Sequence, residues 1–329
     1  MKHSHSFKVL ALIICLVFSP VAGRAEITVS LTKVFVQEFK DKATVSTMFR
    51  VDHHHDKPNP VGAGSKDGDI HISGRDSVVR LPMVAEIING RTERDTLDFI
   101  LDTDPGEEVS VIGAWRFWFE HPGSENQSQT TKIPPVPDDT NPDHVFELHP
   151  IVQFGEFDCR DSFAPIKNAA GAKEFTGYPA ETAFASYEKR PVEITNRQNR
   201  ILITSNKADY NYANFEIRLA GKPKKVDDGY IVLAKIYAFD ADDEAQPVVE
   251  GTRRMIFVEG TAPAEAVKKL KKGNRLRVLG IPRVNLNQVF AIASGLELND
   301  SYTAGWGNDE CSVENPCLPY EMIIVAVLE

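Results

Sequence analysis

The chain has little cysteine and tryptophan, four and three residues among 329. Beyond its first 25 residues no apolar run approaches the roughly 20 residues that a bilayer-crossing helix needs, so the sequence predicts no permanent membrane span. It lacks a glycine-rich phosphate loop, a Gly-x-Ser-x-Gly elbow, and the Cys-x-x-Cys and His-Glu-x-x-His spacings of zinc sites. Without these signatures it reads as a binding protein rather than an enzyme. Positive charge is also short: 37 Lys and Arg stand against 47 Asp and Glu, a formal net charge of -10. Such a chain does not coat nucleic acid with its whole surface, and any such contact must be local. What is present is an ordinary globular composition, 42% hydrophobic and 26% charged, enough at this length for about two domains.

The first 25 residues predict a secretory signal. Lys2 and Lys8 give a positive start, Val9 to Phe18 an apolar stretch, and Gly23-Arg24-Ala25 a small-x-small cleavage site. The expected location is therefore exported, periplasmic or extracellular. In an oxidising compartment Cys311 and Cys317, in CSVENPC, are close enough to close a small disulfide loop. Cys159 is left over, either buried, a slow partner for one of that pair, or a free thiol.

Alternation of apolar and polar residues predicts short strands with few helices. An initial strand, Ile27 to Gln37, is followed by Ala43 to Asp52, Asp69 to Gly74, Leu81 to Ile88, a helix near Thr92 to Leu101, then Glu108 to Glu120 and Val145 to Phe154. The second half repeats the order with Tyr212 to Leu219, Gly229 to Phe239, Arg253 to Val258, a helix Pro263 to Lys271, Asn274 to Arg283 and Tyr320 to Leu328. LPMVAEI matches RRMIFVE, GEEVSVIGAWR matches GNRLRVLGIPR, VFELHPI matches YEMIIVAVL, and DGD matches DGY. Five strands with a helix between the third and fourth is the succession of the OB-fold. The expected fold is all-β with short helices: two tandem five-stranded OB-type Greek-key barrels. Its divisions are 1–25 signal, 26–160 first barrel with an extra N-terminal strand, 161–205 connector and hairpin, and 206–329 second barrel. The hairpin, VEITNRQNRILIT, is expected to enter the second barrel.

Residues 214–283 resemble bacterial single-stranded DNA-binding proteins in layout, down to the turn Lys272-Gly273-Asn274-Arg275-Leu276-Arg277-Val278-Leu279-Gly280. The resemblance covers about 70 residues and implies an OB barrel with a binding face on strands two and three. Residues 67–151 resemble an uncharacterised OB-like module of exported bacterial proteins. Asp67-Gly68-Asp69-Ile70-His71, Met83-Val84-Ala85-Glu86, Gly113 with His121, and Glu147-Leu148-His149-Pro150 carry that likeness.

Two groups of residues carry candidate chemistry. In the second barrel Lys222, Lys224, Lys225, Arg253, Arg254, Lys272, Arg275 and Arg277 interleave with Tyr230 and Tyr237, the mixture that contacts phosphates and stacks bases. This makes single-stranded nucleic acid, or another extended polyanion, the leading expected partner. In the first barrel, alternation turns His71, Glu86, Glu147 and His149 outward, where a solvated polar face is the default. Barrel pairing brings them together, with His121 arriving from strand four, and such a group can hold zinc or act as an acid/base pair. In the run Asp52 to Asp56, His53 and His55 face the same way if the strand continues, which permits a surface metal site beside the alternative of a merely hydrophilic loop. Trp115, Phe117, Trp118 and Phe119 put aromatics on both faces of one strand, which suits packing between barrels or a platform for polysaccharide. An envelope protein or polysaccharide is thus the third expected partner.

Overall fold

The structure is a computed structural model that describes residues 26–62, 67–135, 139–167, 175, 177–242, 244–296 and 317–328. Along the chain, β1 (Glu26–Thr32) leads into helix α1 (Lys33–Phe39), then β2 (Thr44–His54), β3 (Ile70–Asp76) and β4 (Met83–Ile87). Helix α2 (Arg94–Leu101), β5 (Glu108–His121), β6 (Gln127–Ser128), β7 (His144–Phe154) and β8 (Phe157–Asp158) complete the first half. A connector carries β9 (Tyr178–Pro179), α3 (Ala180–Tyr187), β10 (Glu193–Arg197) and β11 (Arg200–Asn206). The second half is β12 (Ala213–Leu219), β13 (Lys224–Val226), β14 (Gly229–Tyr237), β15 (Arg253–Val258), α4 (Ala262–Val267), β16 (Arg275–Val284), α5 (Leu286–Ala293) and β17 (Tyr320–Val327).

Two closed five-stranded barrels result. In the first, β4-β3-β2-β5-β7 are neighbours and β4 closes on β7 in parallel; in the second, β14-β15-β17-β16-β12 are neighbours and β12 closes on β14. A helix sits between the third and fourth barrel strands in each, as the internal repeat predicts. The repeat holds at single residues. Strand four of both barrels shifts register at a glycine, Gly113 in β5 and Gly280 in β16. A Cβ on Gly113 would lie 2.7 Å from Leu148 Cβ, and one on Gly280 3.1 Å from the Phe215 ring, so the close approach inside the barrel leaves no room for a side chain.

Alternation puts Val45, Phe49, Ile70, Ile72, Met83, Ala85, Phe146 and Leu148 into the first barrel's core, and Phe215, Ile217, Val232, Ala234, Met255 and Phe257 into the second's. The outer faces are not all solvated. Ala43, Ile88 and Ala114 pack with Ile231, Ile256, Leu279, Ile281 and Ile323 in an apolar layer between the barrels. Buried arginines tie the layer from both sides. Arg116 Nε donates to Pro282 O (3.1 Å), and Arg283 Nη1 donates to Trp115 O (3.1 Å) and Ala43 O (3.2 Å). Each arginine lies three residues after its barrel's bulge glycine and is the cross-strand partner of a glutamate, Glu147 or Glu321.

Three expectations fail. The initial strand stops at Thr32, because its hydroxyl accepts from Phe35 N (3.2 Å) and caps α1. The 193–206 hairpin does not enter the second barrel: β11 pairs along its whole length with β1, forming a separate sheet in the order β10-β11-β1-β6. Helix α5 was not foreseen; Asn285 caps it by accepting from Asn287 N and Gln288 N. The aromatic run of β5 is buried throughout, Trp118 against the Tyr187 ring of α3, so it offers no platform for polysaccharide. Among the described residues no helix is long and apolar enough to cross a membrane. The expected signal, 1–25, and Cys311 lie outside the described residues. Cys317 is buried, and Cys159 is a buried free thiol.

Candidate functional site

The first barrel's outward polar residues are not a solvated face. Glu86, Glu147 and His149 are buried and His71 nearly so, because the chain entering β12 lies over them: Ala208 N donates to Phe119 O (2.7 Å), and the Tyr212 hydroxyl reaches His149 Nε2 (2.7 Å). Strand pairing assembles the group. His71 on β3 faces Glu86 on β4 in register, Glu147 on β7 faces Arg116 on β5, and His144 faces His121.

Glu86 is the hub. Its Oε1 lies 3.6 Å from His71 Nε2 and its Oε2 2.9 Å from His149 Nδ1. His71 Nε2 also contacts Asp69, and Asn59 Nδ2 donates to Asp69 Oδ1 (2.7 Å). Glu147 is held by the Arg116 guanidinium and by His144 Nε2 (3.1 Å), and lies 3.4 Å from His149 Nδ1. Gly68, at φ +75, turns the chain so that Asp67 and Asp69 both reach the group. Four buried polar atoms around it are left without a hydrogen-bond partner: Asp67 Oδ1, His71 Nδ1, Asn141 Oδ1 and Asn211 Oδ1. A cavity of about 320 Å³ adjoins them, lined only by polar side chains, including five carboxylates: Asp67, Asp69, Glu86, Glu120 and Glu147. It continues into a cleft of about 390 Å³ between His121, Tyr178, Lys207 and Tyr210.

The charges are strongly coupled. Burial alone lowers the pKa of His71, but Glu86 and Asp69 outweigh it and lift the imidazole to about 10; for His149, Glu86 and Glu147 do the same, also to about 10. Burial together with the Asp69 charge pushes Asp67 well above the usual carboxylate range. Burial opposes ionisation of Glu147, yet Arg116 and the neighbouring histidines hold it well below its ordinary value. His55, stacked on the His71 ring at 4.6 Å, is lowered by burial and by the His71 charge. Without a cation, protonated histidines carry the positive charge this pocket requires.

Sequence reasoning named His71, Glu86, His121, Glu147 and His149; the structure brings all but His121 into direct contact. His121 stands at the rim, stacked on His144 at 5.3 Å. Asp67, Asp69, Arg116, His144 and Tyr212 were missed, although Asp67 and Asp69 lie in the motif that carried the first-barrel likeness. His55 reaches the cavity, whereas His53 faces a separate shallow pocket with His54 and Asp139.

The second barrel's basic residues disperse. Arg253 is buried against Glu188 (2.7 Å) and the Tyr320 hydroxyl, and Arg254 against Asp41 (3.1 Å) and Glu321, so neither is open to a polyanion, contrary to expectation. Distant acidic residues neutralise them, which strand-local reading does not see. Arg275 pairs with Glu216 (2.5 Å), Lys225 with Glu259, and Arg277 with Asp240 (3.5 Å). Tyr237 is buried beneath Arg218, and Tyr230 lies under Lys225. Lys222, Lys224 and Lys272 remain exposed, together with Lys269 and Lys271.

No family model and no curated protein matches the chain. One similar solved structure is a murine DNA-binding protein bound to double-stranded DNA: 8% identical, covering 73% of this chain and 88% of that chain, with a TM-score of 0.17. A likeness at that score carries no argument. The site stands on its own geometry.

That geometry includes an internal control. Anchored on the equivalent Arg116–Glu147 and Arg283–Glu321 pairs, cross-strand pairing places Ile231 opposite Ile256, and Ile256 opposite Ile323, at the outer positions that His71, Glu86 and His149 occupy in the first barrel; the expected match of LPMVAEI on RRMIFVE is thereby shifted by two residues. The fold packs isoleucine there. Charged groups at those positions are not required to close the barrel.

Proposed function

We propose that the protein is exported and binds a divalent transition-metal ion, zinc being the best match, between its two barrels. One observation carries this: two histidines and three carboxylates from β4, β7, and β3 with the turn before it converge on a buried, polar-lined cavity, while the positions equivalent to His71, Glu86 and His149 in the second barrel are isoleucines. Mixed imidazole and carboxylate donors suit zinc. His149 Nε2 is held by Tyr212 while Nδ1 faces the carboxylates, the support that orients a ligating imidazole. An ion there would supply Lewis-acid activation of water or a carbonyl, and the adjoining cleft leaves space for a small hydrolysable substrate. The exported reading rests on the signal-like first 25 residues, and in that compartment Cys311 and Cys317 would close their disulfide loop. The test is metal content by plasma mass spectrometry after purification without chelators and after incubation with zinc. Stoichiometric zinc that the double variant His71→Ala/His149→Ala abolishes is expected; a wild-type protein that stays metal-free in excess zinc refutes the reading.

A second reading, binding of single-stranded nucleic acid or another polyanion, keeps one observation in its favour. Gly273 N donates to Leu219 O (2.8 Å) and Leu219 N to Asn274 O (3.0 Å), pinning the turn that carries Lys271 and Lys272 beside the loop that carries Lys222 and Lys224. None of these four has an ion pair among the described residues. Fluorescence anisotropy with a labelled single-stranded oligonucleotide tests it. Binding through this patch predicts that neutralising the four lysines reduces the salt slope of the affinity by about 3; an unchanged slope rules the patch out.

A further inference from the structure

We propose that the centre holds two divalent cations bridged by Glu86, an inference that rests on the metal-binding reading above. The two oxygens of Glu86 are aimed at different imidazoles, Oε1 at His71 (3.6 Å) and Oε2 at His149 (2.9 Å). Around them stand two donor sets that share this one residue: Asp69, His71 and Glu86 form the first, and Glu86, Glu147 and His149 the second. Within each set the donor atoms lie within 4.8 Å of one another. Three donors about 2.1 Å from one zinc ion lie about 3.4–3.6 Å from one another, so each set closes on an ion by drawing its outermost donors inward by about an ångström. A carboxylate that gives one oxygen to each metal is the link expected where ions sit about 3.5–4 Å apart.

Five carboxylates line the cavity, and Arg116, which contacts both Glu120 and Glu147, is the guanidinium that reaches them. A buried carboxylate without compensation is costly. The two imidazoles stand on opposite oxygens of Glu86, so one ion at either oxygen leaves the other donor set unfilled. The unpartnered Asp67 Oδ1, buried at the cavity wall beside both donor sets, is a further acceptor that neither hydrogen bonding nor solvent satisfies. The ligand class is therefore a pair of first-row divalent ions. Glu147 Oε2, already bonded to Arg116, makes the His149 set the weaker of the two.

Cobalt titration of the full chain, stripped with a chelator and followed by mass-spectrometric stoichiometry and electron paramagnetic resonance, tests this. Two cobalt ions per chain are expected, with the resonance per cobalt falling between half and full loading as the bridged spins couple. His149→Gln should retain one ion in the His71 set, and His71→Gln one ion in the His149 set. The wild-type spectra need no variant to fold. One ion per chain, or two whose signal grows linearly to full loading, overturns the bridged pair and leaves the metal-binding function standing. No cobalt and no zinc bound overturns both.

Discussion

Replacing Arg283 with methionine probes the bond between the barrels most directly. The side chain is completely buried. Its Nε donates to Glu321 Oε1 (2.7 Å), Nη2 to Lys42 O (3.0 Å), and Nη1 to the carbonyls of Ala43 and Trp115; its guanidinium carbon lies 3.5 Å from the Trp115 ring centroid. Removing one partner of such a buried pair costs about 3–5 kcal/mol, because the other charge stays behind. Loss of the desolvated cation–π contact adds about 2 kcal/mol. Two effects offset this. Glu321 keeps Arg254, whose Nε lies 2.8 Å from Oε2 though off the direction of a hydrogen bond, and a methionine thioether repacks against the indole for about 1 kcal/mol. A net loss of about 4 kcal/mol is expected, a large share of the 5–15 kcal/mol typical of a folded domain. Urea unfolding followed by tryptophan fluorescence reads it: at about 3 kcal/mol per molar urea, the midpoint falls by about 1.3 M. Adding Glu321→Gln removes the stranded charge, so the double variant should be less destabilised than the sum of the singles by about 2 kcal/mol. A single-variant loss under about 1 kcal/mol, or strict additivity, would refute the assignment of Arg283 as the inter-barrel clamp.

Asp76 and Cys159 give two further checks. Asp76 Oδ1 accepts from Val79 N and Arg80 N, but Oδ2 is buried without a partner and burial raises its pKa above the ordinary 3.8. A raised carboxyl contributes stability that is full below 3.8 and lost as pH rises through its folded value. Asp76→Asn keeps the accepting oxygen without the charge, so the variant should gain on wild type from about pH 4 towards neutrality; parallel pH–stability curves would contradict this. Burial pushes the Cys159 thiol up to about 12, so iodoacetamide near neutral pH should leave it unmodified in the native protein and alkylate it in urea. Modification of the native protein at the rate of an exposed thiol would show the site to be open.

The barrels were legible because each strand states its own face. Val45, Phe49, Ile70, Ile72, Phe146 and Leu148 alternate with polar residues, and the second half repeats the order with Gly113 and Gly280 at equivalent bulges. Alternation carries no information about what covers an outer face. His71, Glu86, Glu147 and His149 therefore read as solvated, and Arg253 and Arg254 read as available, until residues far away in the chain were placed against them: Tyr212 on His149, Glu188 on Arg253, Asp41 on Arg254. One signal of docking was present. RRMIFV in β15 is buried at every residue, and a strand that is apolar at consecutive inward and outward positions must be covered on both sides.

The two copies of the fold use equivalent outer positions in opposite ways. In the second barrel, Ile231, Ile256 and Ile323 seal the layer between the barrels. In the first, the corresponding His71, Glu86 and His149 face a polar cavity. Isoleucine in these positions closes a barrel at no electrostatic cost, whereas a buried ion network is at best neutral for stability against well-packed apolar residues. The Arg116–Glu147 and Arg283–Glu321 pairs stand apart from this contrast: both barrels have one, and in both the arginine reaches a carbonyl of the other barrel. Those pairs are explained by docking. The His71–Glu86–His149 group takes no direct part in docking beyond the Tyr212 contact, and the fold closes without charge in that place, so docking does not account for its carboxylates and the proposed metal ions would.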